Sequence, residues 1–171
     1  MSQVSPQVLL LCYGNPGRLD DGLGAAFAEA FEKSALPGVT VEADYQLTVE
    51  DVTSIAEHPV VIFVDASVRG SEPFFCRPVD PKPTISFSSH SVEPENLLAL
   101  AQKMFGAHSK AYALGIRGYQ FDDFGESLSP KAEENLAAAV RFLAPVLQRG
   151  SALEIAAALD ALDEQGADNG V

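Results

Sequence analysis

The sequence predicts a single three-layer α/β/α domain, with a mainly parallel, twisted sheet of about five strands and helices on both faces. Two short runs, Val8–Tyr13 and Val60–Asp65, are apolar without interruption, as strands buried on both faces of a parallel sheet are. Segments with apolar residues at helical spacing stand between the strand-like runs. The two types alternate as strand, helix, strand, helix, strand, then a short strand excursion, helix, strand and helix.

The first strand, Val8–Tyr13, ends at Gly14-Asn15-Pro16-Gly17, a turn signal. Leu23, Ala26, Phe27, Ala30 and Phe31 then form one helical stripe, closed by Pro37-Gly38. Val39–Ala43 reads as the next strand. Thr48, with Asp51 three residues on, is a capping signal for a short helix carrying Val52, Ile55 and Ala56. His58-Pro59 stops that helix. Val60–Asp65 is the strongest strand, rich in β-branched residues. Val68 to Ser86 is rich in proline and polar residues, with Phe74–Arg77 as a short edge strand inside it. Pro94 opens an amphipathic helix carrying Leu97, Ala101, Met104 and Phe105. Lys110–Ile116 is the following strand. Ser129-Pro130 opens a long helix, with Ser129 as its cap and Leu136, Ala139, Val140, Leu143 and Leu147 as its stripe. Residues 1–150 make the domain. Residues 151–171 are a C-terminal extension, helical to 162 and frayed from Asp163.

Composition narrows the function classes. The chain is 47% hydrophobic, enough for one core across its 171 residues. A net charge of −13 argues against nucleic acid and against anionic membrane surfaces, since both need clustered Lys and Arg. It suits a cationic partner or a metal ion. Cys12 and Cys76 form no disulfide framework and no CxxC pair. With no secretory signal pattern and no membrane-length apolar run, the expected location is cytoplasmic.

In a parallel sheet, ligands bind outside the carboxyl ends of the strands. Three candidate ligands fall at such ends. Asp21 follows the first strand across the glycine turn, Asp65 closes the strongest strand, and His90 lies in the loop Ser88-Ser89-His90-Ser91. Two carboxylates and an imidazole suit zinc, nickel, manganese or iron, with positions left open for water or a substrate group. Each has a plainer role as well: Asp21 as a first-turn helix acid, Asp65 as an acceptor for loop amides, His90 as a structural loop residue. Asp20 reads as the cap of the first helix. The glycine turn lacks the dinucleotide pattern, because Pro16 stands where the second glycine belongs. Its glycines instead serve a tight turn and a close backbone approach. No nucleophile elbow occurs. Cys12 reads as inert core, and Cys76 with His58 or His108 is a remote nucleophile pair. Asp20 with Asp65 would resemble the acid/base pair of an aspartyl protease, but nothing else in the sequence resembles that family's motifs. Asp122-Asp123 reads as a solvated acidic loop.

These motifs, taken together, resemble the maturation endopeptidases of nickel-iron hydrogenases. The resemblance lies in Gly14-Asn15, then Asp20-Asp21-Gly22-Leu23-Gly24, then Val64-Asp65-Ala66, Ser89-His90 and Leu128-Ser129-Pro130, all in family order over residues 8–147. It implies an endopeptidase that removes the C-terminal peptide from a nickel-loaded hydrogenase large-subunit precursor. It implies Asp21, Asp65 and His90 as the catalytic, metal-contacting residues, and nickel supplied by the precursor. Gly14, Asn15 and Gly24 would shape the turn and the close helix packing. Two positions depart from the pattern. Asp21 stands where some members carry Glu. Tyr45-Gln46-Leu47-Thr48 stands where many carry a Gly-Gly-Thr-like segment, and resembles the variant of bidirectional, NAD-linked hydrogenases. Gln46, Leu47 and Thr48 are thus implied determinants of substrate recognition. The rival readings are a maturation chaperone that binds a metallated partner without cutting it, and a self-contained small metallohydrolase.

Overall fold

The computed structural model describes residues 4–82 and 92–168, with side chains through residue 163. Among them, five strands form one sheet: β1 (Val8–Tyr13), β2 (Val39–Asp44), β3 (Val60–Ser67), β4 (Phe74–Val79) and β5 (Lys110–Arg117). Their spatial order is β2-β1-β3-β5-β4. The first four in that order are mutually parallel, and β4 runs antiparallel at the edge beside β5. The helices are α1 (Leu23–Ser34), α2 (Asp51–Ala56), α3 (Pro94–Phe105), α4 (Pro130–Leu147) and α5 (Ala152–Asp168). A 3-10 turn, Leu19–Gly22, precedes α1.

The alternation of side chains along each strand divides the core in two. Val8, Leu10 and Cys12 of β1, with Val60, Ile62 and Val64 of β3, pack under α1, α4 and α5. Leu9 and Leu11, with Val61 and Phe63, pack under α2 and α3. This is why both strands are apolar at every position, and it makes the domain three layers deep, as expected.

Several elements differ from the sequence-based expectation. β3 does not end at Asp65. It continues to Ser67, because β5 is long enough to pair Asp65 with Gly115 and Ser67 with Arg117. β4 runs on to Val79 through Pro78, which an edge strand tolerates. α5 stays helical through Asp168, past the point where fraying was expected. Its Ile155, Ala156 and Leu159 are buried. The Tyr112 hydroxyl donates to Asp160 Oδ1 at 2.7 Å and lies 3.2 Å from the Ala156 carbonyl oxygen, so α5 is tied to β5 by polar contacts as well.

The strand order places one topological switch point. From β1 the chain goes to β2 on one side, and later to β3 on the other. The β1–β3 pairing stops at Cys12 and Val64. Beyond it a crevice opens at the carboxyl ends, the expected place for a ligand in such a sheet.

Candidate functional site

The turn after β1 lies beside this switch point. Gly14 has φ +132°, and its N–H donates to the Asp44 carbonyl at 3.1 Å, fastening the turn to the end of β2. Asn15 folds the next residues: its Oδ1 accepts from the Gly17 N–H at 2.8 Å. The Asn15 N–H donates to Asp21 Oδ2, also at 2.8 Å, so the turn itself orients the Asp21 carboxylate. At Gly24 a Cβ would lie 2.4 Å from the Tyr13 carbonyl oxygen, so α1 starts in direct contact with the end of β1.

Asp65 stands on the other side of the switch point, one residue beyond the last β1–β3 pair. It is half-buried, and its Oδ1 accepts from the Ala66 N–H at 2.8 Å. Burial pushes its pKa up to about 7; the Asp21 charge adds to the rise and the Ala66 hydrogen bond opposes it. Asp21 is thus near enough for its charge to act on Asp65. A cavity of about 410 Å³ adjoins Asp65, lined by Tyr13, Phe63, Phe75, Arg77 and Glu93 among others. Among the described residues, Arg77 is the only cation in that lining, and its guanidinium lies 5.3 Å from the centre of the Phe75 ring. A smaller cavity, about 190 Å³, lies on the β2 side of the glycine turn and is lined by Gly14, Pro16 and Tyr45.

His90 lies outside the described residues. Among the described residues, no cluster of three or more His, Cys, Asp or Glu is placed to hold a metal ion. Asp21 and Asp65 therefore offer two carboxylate donors, which suit a cation that brings further ligands of its own.

Asp20 has neither of the roles expected of it. The position that caps α1 is Gly22, without a side-chain cap, because the 3-10 turn intervenes and directs Asp20 inward. Asp20 is fully buried and accepts hydrogen bonds from the Tyr119 N–H, the Gln120 N–H and both the N–H and hydroxyl of Ser129. Burial works against its charge, but these bonds outweigh it and hold the carboxyl below the usual range. Sealed in this way, it cannot pair with Asp65 in acid/base chemistry. Ser129 does stand at the cap position of α4, with its hydroxyl bonded to Asp20 instead of to the helix.

Leu47 is corrected as well. Its side chain is buried beside Val52 and Ile55, so it cannot contact a substrate. Tyr45 and Gln46 are exposed. Thr48 is half-buried, and its N–H donates to Asp51 Oδ2 at 2.7 Å; Asp51 thus reaches back as a capping acid does, although α2 starts at Asp51 with Glu50 in the cap position. Asp122 and Asp123 are solvated, as expected. Neither cysteine is poised as a nucleophile. Burial pushes the Cys12 thiol far up, and burial with the nearby Asp163 charge pushes Cys76 up to about 12. The His58 ring is engaged by Thr40 Oγ1 and the Ser54 carbonyl.

The fold is the α/β fold of hydrogenase maturation endopeptidases. The HybD endopeptidase of Escherichia coli superposes with a TM-score of 0.66 at 20% identity, over 84% of this chain and 94% of that one. The HycI maturation protease of Thermococcus kodakarensis gives 0.64 at 23% identity, over 83% and 92%. A hydrogenase 2 maturation peptidase from a Thaumarchaeota archaeon gives 0.60 at 23% identity, over 82% and 97%. No protein-family model and no curated protein matches the chain.

Proposed function

We propose that this protein is an endopeptidase that removes the C-terminal peptide from a nickel-loaded hydrogenase large-subunit precursor. The observation that carries the proposal is the placement of Asp21 and Asp65 on opposite sides of the switch-point crevice, in a fold whose solved examples bear the names of hydrogenase maturation peptidases. His90 is the third expected contact, on the strength of the sequence resemblance alone.

Nickel enters here as part of the substrate. Held by the precursor, it supplies Lewis-acid polarisation or water activation near the scissile bond. The chain's own residues supply orientation. Asp21, held by the Asn15 N–H, and Asp65, held by the Ala66 N–H, each keep a carboxylate oxygen for the incoming cation. The acidic crevice favours a cationic centre over an apo precursor, whose site would bring no positive charge to offset the two carboxylates. The apolar cavity wall beside Asp65, made by Tyr13, Phe63 and Phe75, accommodates the peptide and excludes water around it. Among the described residues, no helix is long and apolar enough to cross a membrane. A cytoplasmic location belongs to this proposal.

The test is to mix the protein with nickel-loaded and nickel-free precursor and follow the precursor by mass spectrometry. The proposal expects loss of a C-terminal peptide from the loaded form only, and no loss with Asp65→Ala. An intact loaded precursor would overturn it, and a stable complex without cleavage would favour a chaperone.

A further inference from the structure

We infer that Asp20 is the positioning residue for Asp21: its buried carboxylate locks the turn that carries Asp21 to the connection between β5 and α4. The inference rests on the proposed role of Asp21 as a site carboxylate. Asp20 itself has no exposed surface for a substrate to touch.

Four donors meet the Asp20 carboxylate. Asp20 Oδ2 accepts from the Tyr119 N–H at 2.8 Å, the Gln120 N–H at 3.0 Å and the Ser129 hydroxyl at 2.7 Å. Oδ1 accepts from the Ser129 N–H at 2.7 Å. A carboxylate has about four acceptor positions, and here it meets four donors, three on Oδ2 and one on Oδ1. The backbone of the same turn is clamped to the same connection. The Leu19 N–H donates to the Gly125 carbonyl at 2.8 Å, the Asp20 N–H to the Gln120 carbonyl at 3.0 Å, and the Gly125 N–H returns to Gly17 at 2.9 Å. Leu19 sits at φ +52°, a conformation a non-glycine residue keeps only where its surroundings enforce it. At Gly118 a Cβ would fall 2.9 Å from the Asp20 Cβ, so packing fixes the position as firmly as the bonds do. Asp21 is the next residue in this turn. The hydrogen bond given to its own carboxylate is the one from Asn15, so its orientation follows from where the turn is held.

The chemistry of the lock gives a discriminating substitution. Asp20→Asn keeps the shape, but its amide must turn an NH2 toward at least one of these N–H donors whichever way it flips. Ser129→Ala removes only the hydroxyl donor. Tyr112→Phe removes the hydroxyl that ties β5 to α5, and serves as a destabilised control away from the turn. The probe is the Asn15 amide in a 1H–15N spectrum of each full-length variant, well below its unfolding midpoint. The expected result is a displaced Asn15 resonance and about tenfold faster amide exchange in Asp20→Asn, a smaller change in Ser129→Ala, and none in Tyr112→Phe. With loaded precursor, kcat of Asp20→Asn is expected to fall about 10- to 100-fold with KM nearly unchanged. A folded Asp20→Asn protein with a wild-type Asn15 amide would overturn the inference. If that variant does not fold, Ser129→Ala decides by the same resonance. Failure of the wild-type protein to cut the precursor would instead strike the proposed function, and the amide measurement, which needs no substrate, would still decide the positioning role.

Discussion

A side chain at Gly14 would place its Cβ 2.2 Å from the Asp21 carbonyl oxygen, so the two residues are in backbone contact across the turn that opens the crevice. Gly14 also holds φ +132°, where an L side chain is strained whatever the space. Gly14→Ala should therefore lose about 3 kcal/mol or more of stability, from backbone strain and forced displacement of the turn together. Urea unfolding of the variant and the wild type measures it. An unchanged midpoint would mean that the turn shifts freely and that Asp21 is not fixed by this contact.

Asp65 makes the protein's stability depend on pH in a defined direction. Its folded pKa, about 7, lies above the ordinary value of 3.8, so between those values the native state holds a proton that the unfolded chain has released. Stability from this group is complete below about pH 4 and is lost as pH rises through 7. Asp65→Asn abolishes that titration. The variant should show a flatter melting-temperature profile between about pH 4 and 8 and a gain of about 1–2 kcal/mol at pH 8, discounted for the half-exposed site, while processing is lost. Parallel slopes in wild type and variant would remove Asp65 as the source.

The sheet is legible in the sequence because its physics is local to each strand. β1 and β3 face apolar layers on both sides, and a continuous run such as Val8–Cys12, too short for a helix of the core, fits little else than a strand between two such layers. Where β3 ends is not legible, because it depends on how far β5 extends beside it. Asp21 and Asp65 stand out in the sequence as acids that follow apolar runs, although Asp65 lies inside β3 rather than at its end. Asp20 escapes a local reading because its partners, Tyr119, Gln120 and Ser129, lie about a hundred residues downstream, and no short-range pattern reports such a distance. Leu47 escapes it because its loop reads as surface, while its side chain completes the core under α2.

α5 contributes to the core rather than hanging from it. Leu159 is 1% exposed and packs with Ile155 and Ala156 in the cluster shared with α1 and α4. Leu159→Ala should cost about 2–4 kcal/mol, the usual range for a buried leucine whose surroundings relax only in part. Thermal unfolding checks this directly. Cleavage per folded molecule should stay at the wild-type rate, since α5 packs on β4 and β5 and supplies none of the site residues.

The loop after β2 carries exposed and core side chains within three residues. The Gly14 N–H bond to Asp44 brings the start of this loop beside the glycine turn, and Tyr45 lines the small cavity there. Tyr45 is 68% exposed, whereas Leu47 is 6% exposed and belongs to the α2 core. If the loop contacts the precursor, the contact is made by Tyr45 and Gln46. Tyr45→Ala and Gln46→Ala should then raise KM for the precursor severalfold with little change in melting temperature, because each removes an exposed side chain that binds substrate and transition state alike. Leu47→Ala should do the reverse, costing about 2–3 kcal/mol of stability with KM unchanged for the folded fraction. Equal KM for all three variants would take the loop out of recognition and leave it as the cover of the α2 core.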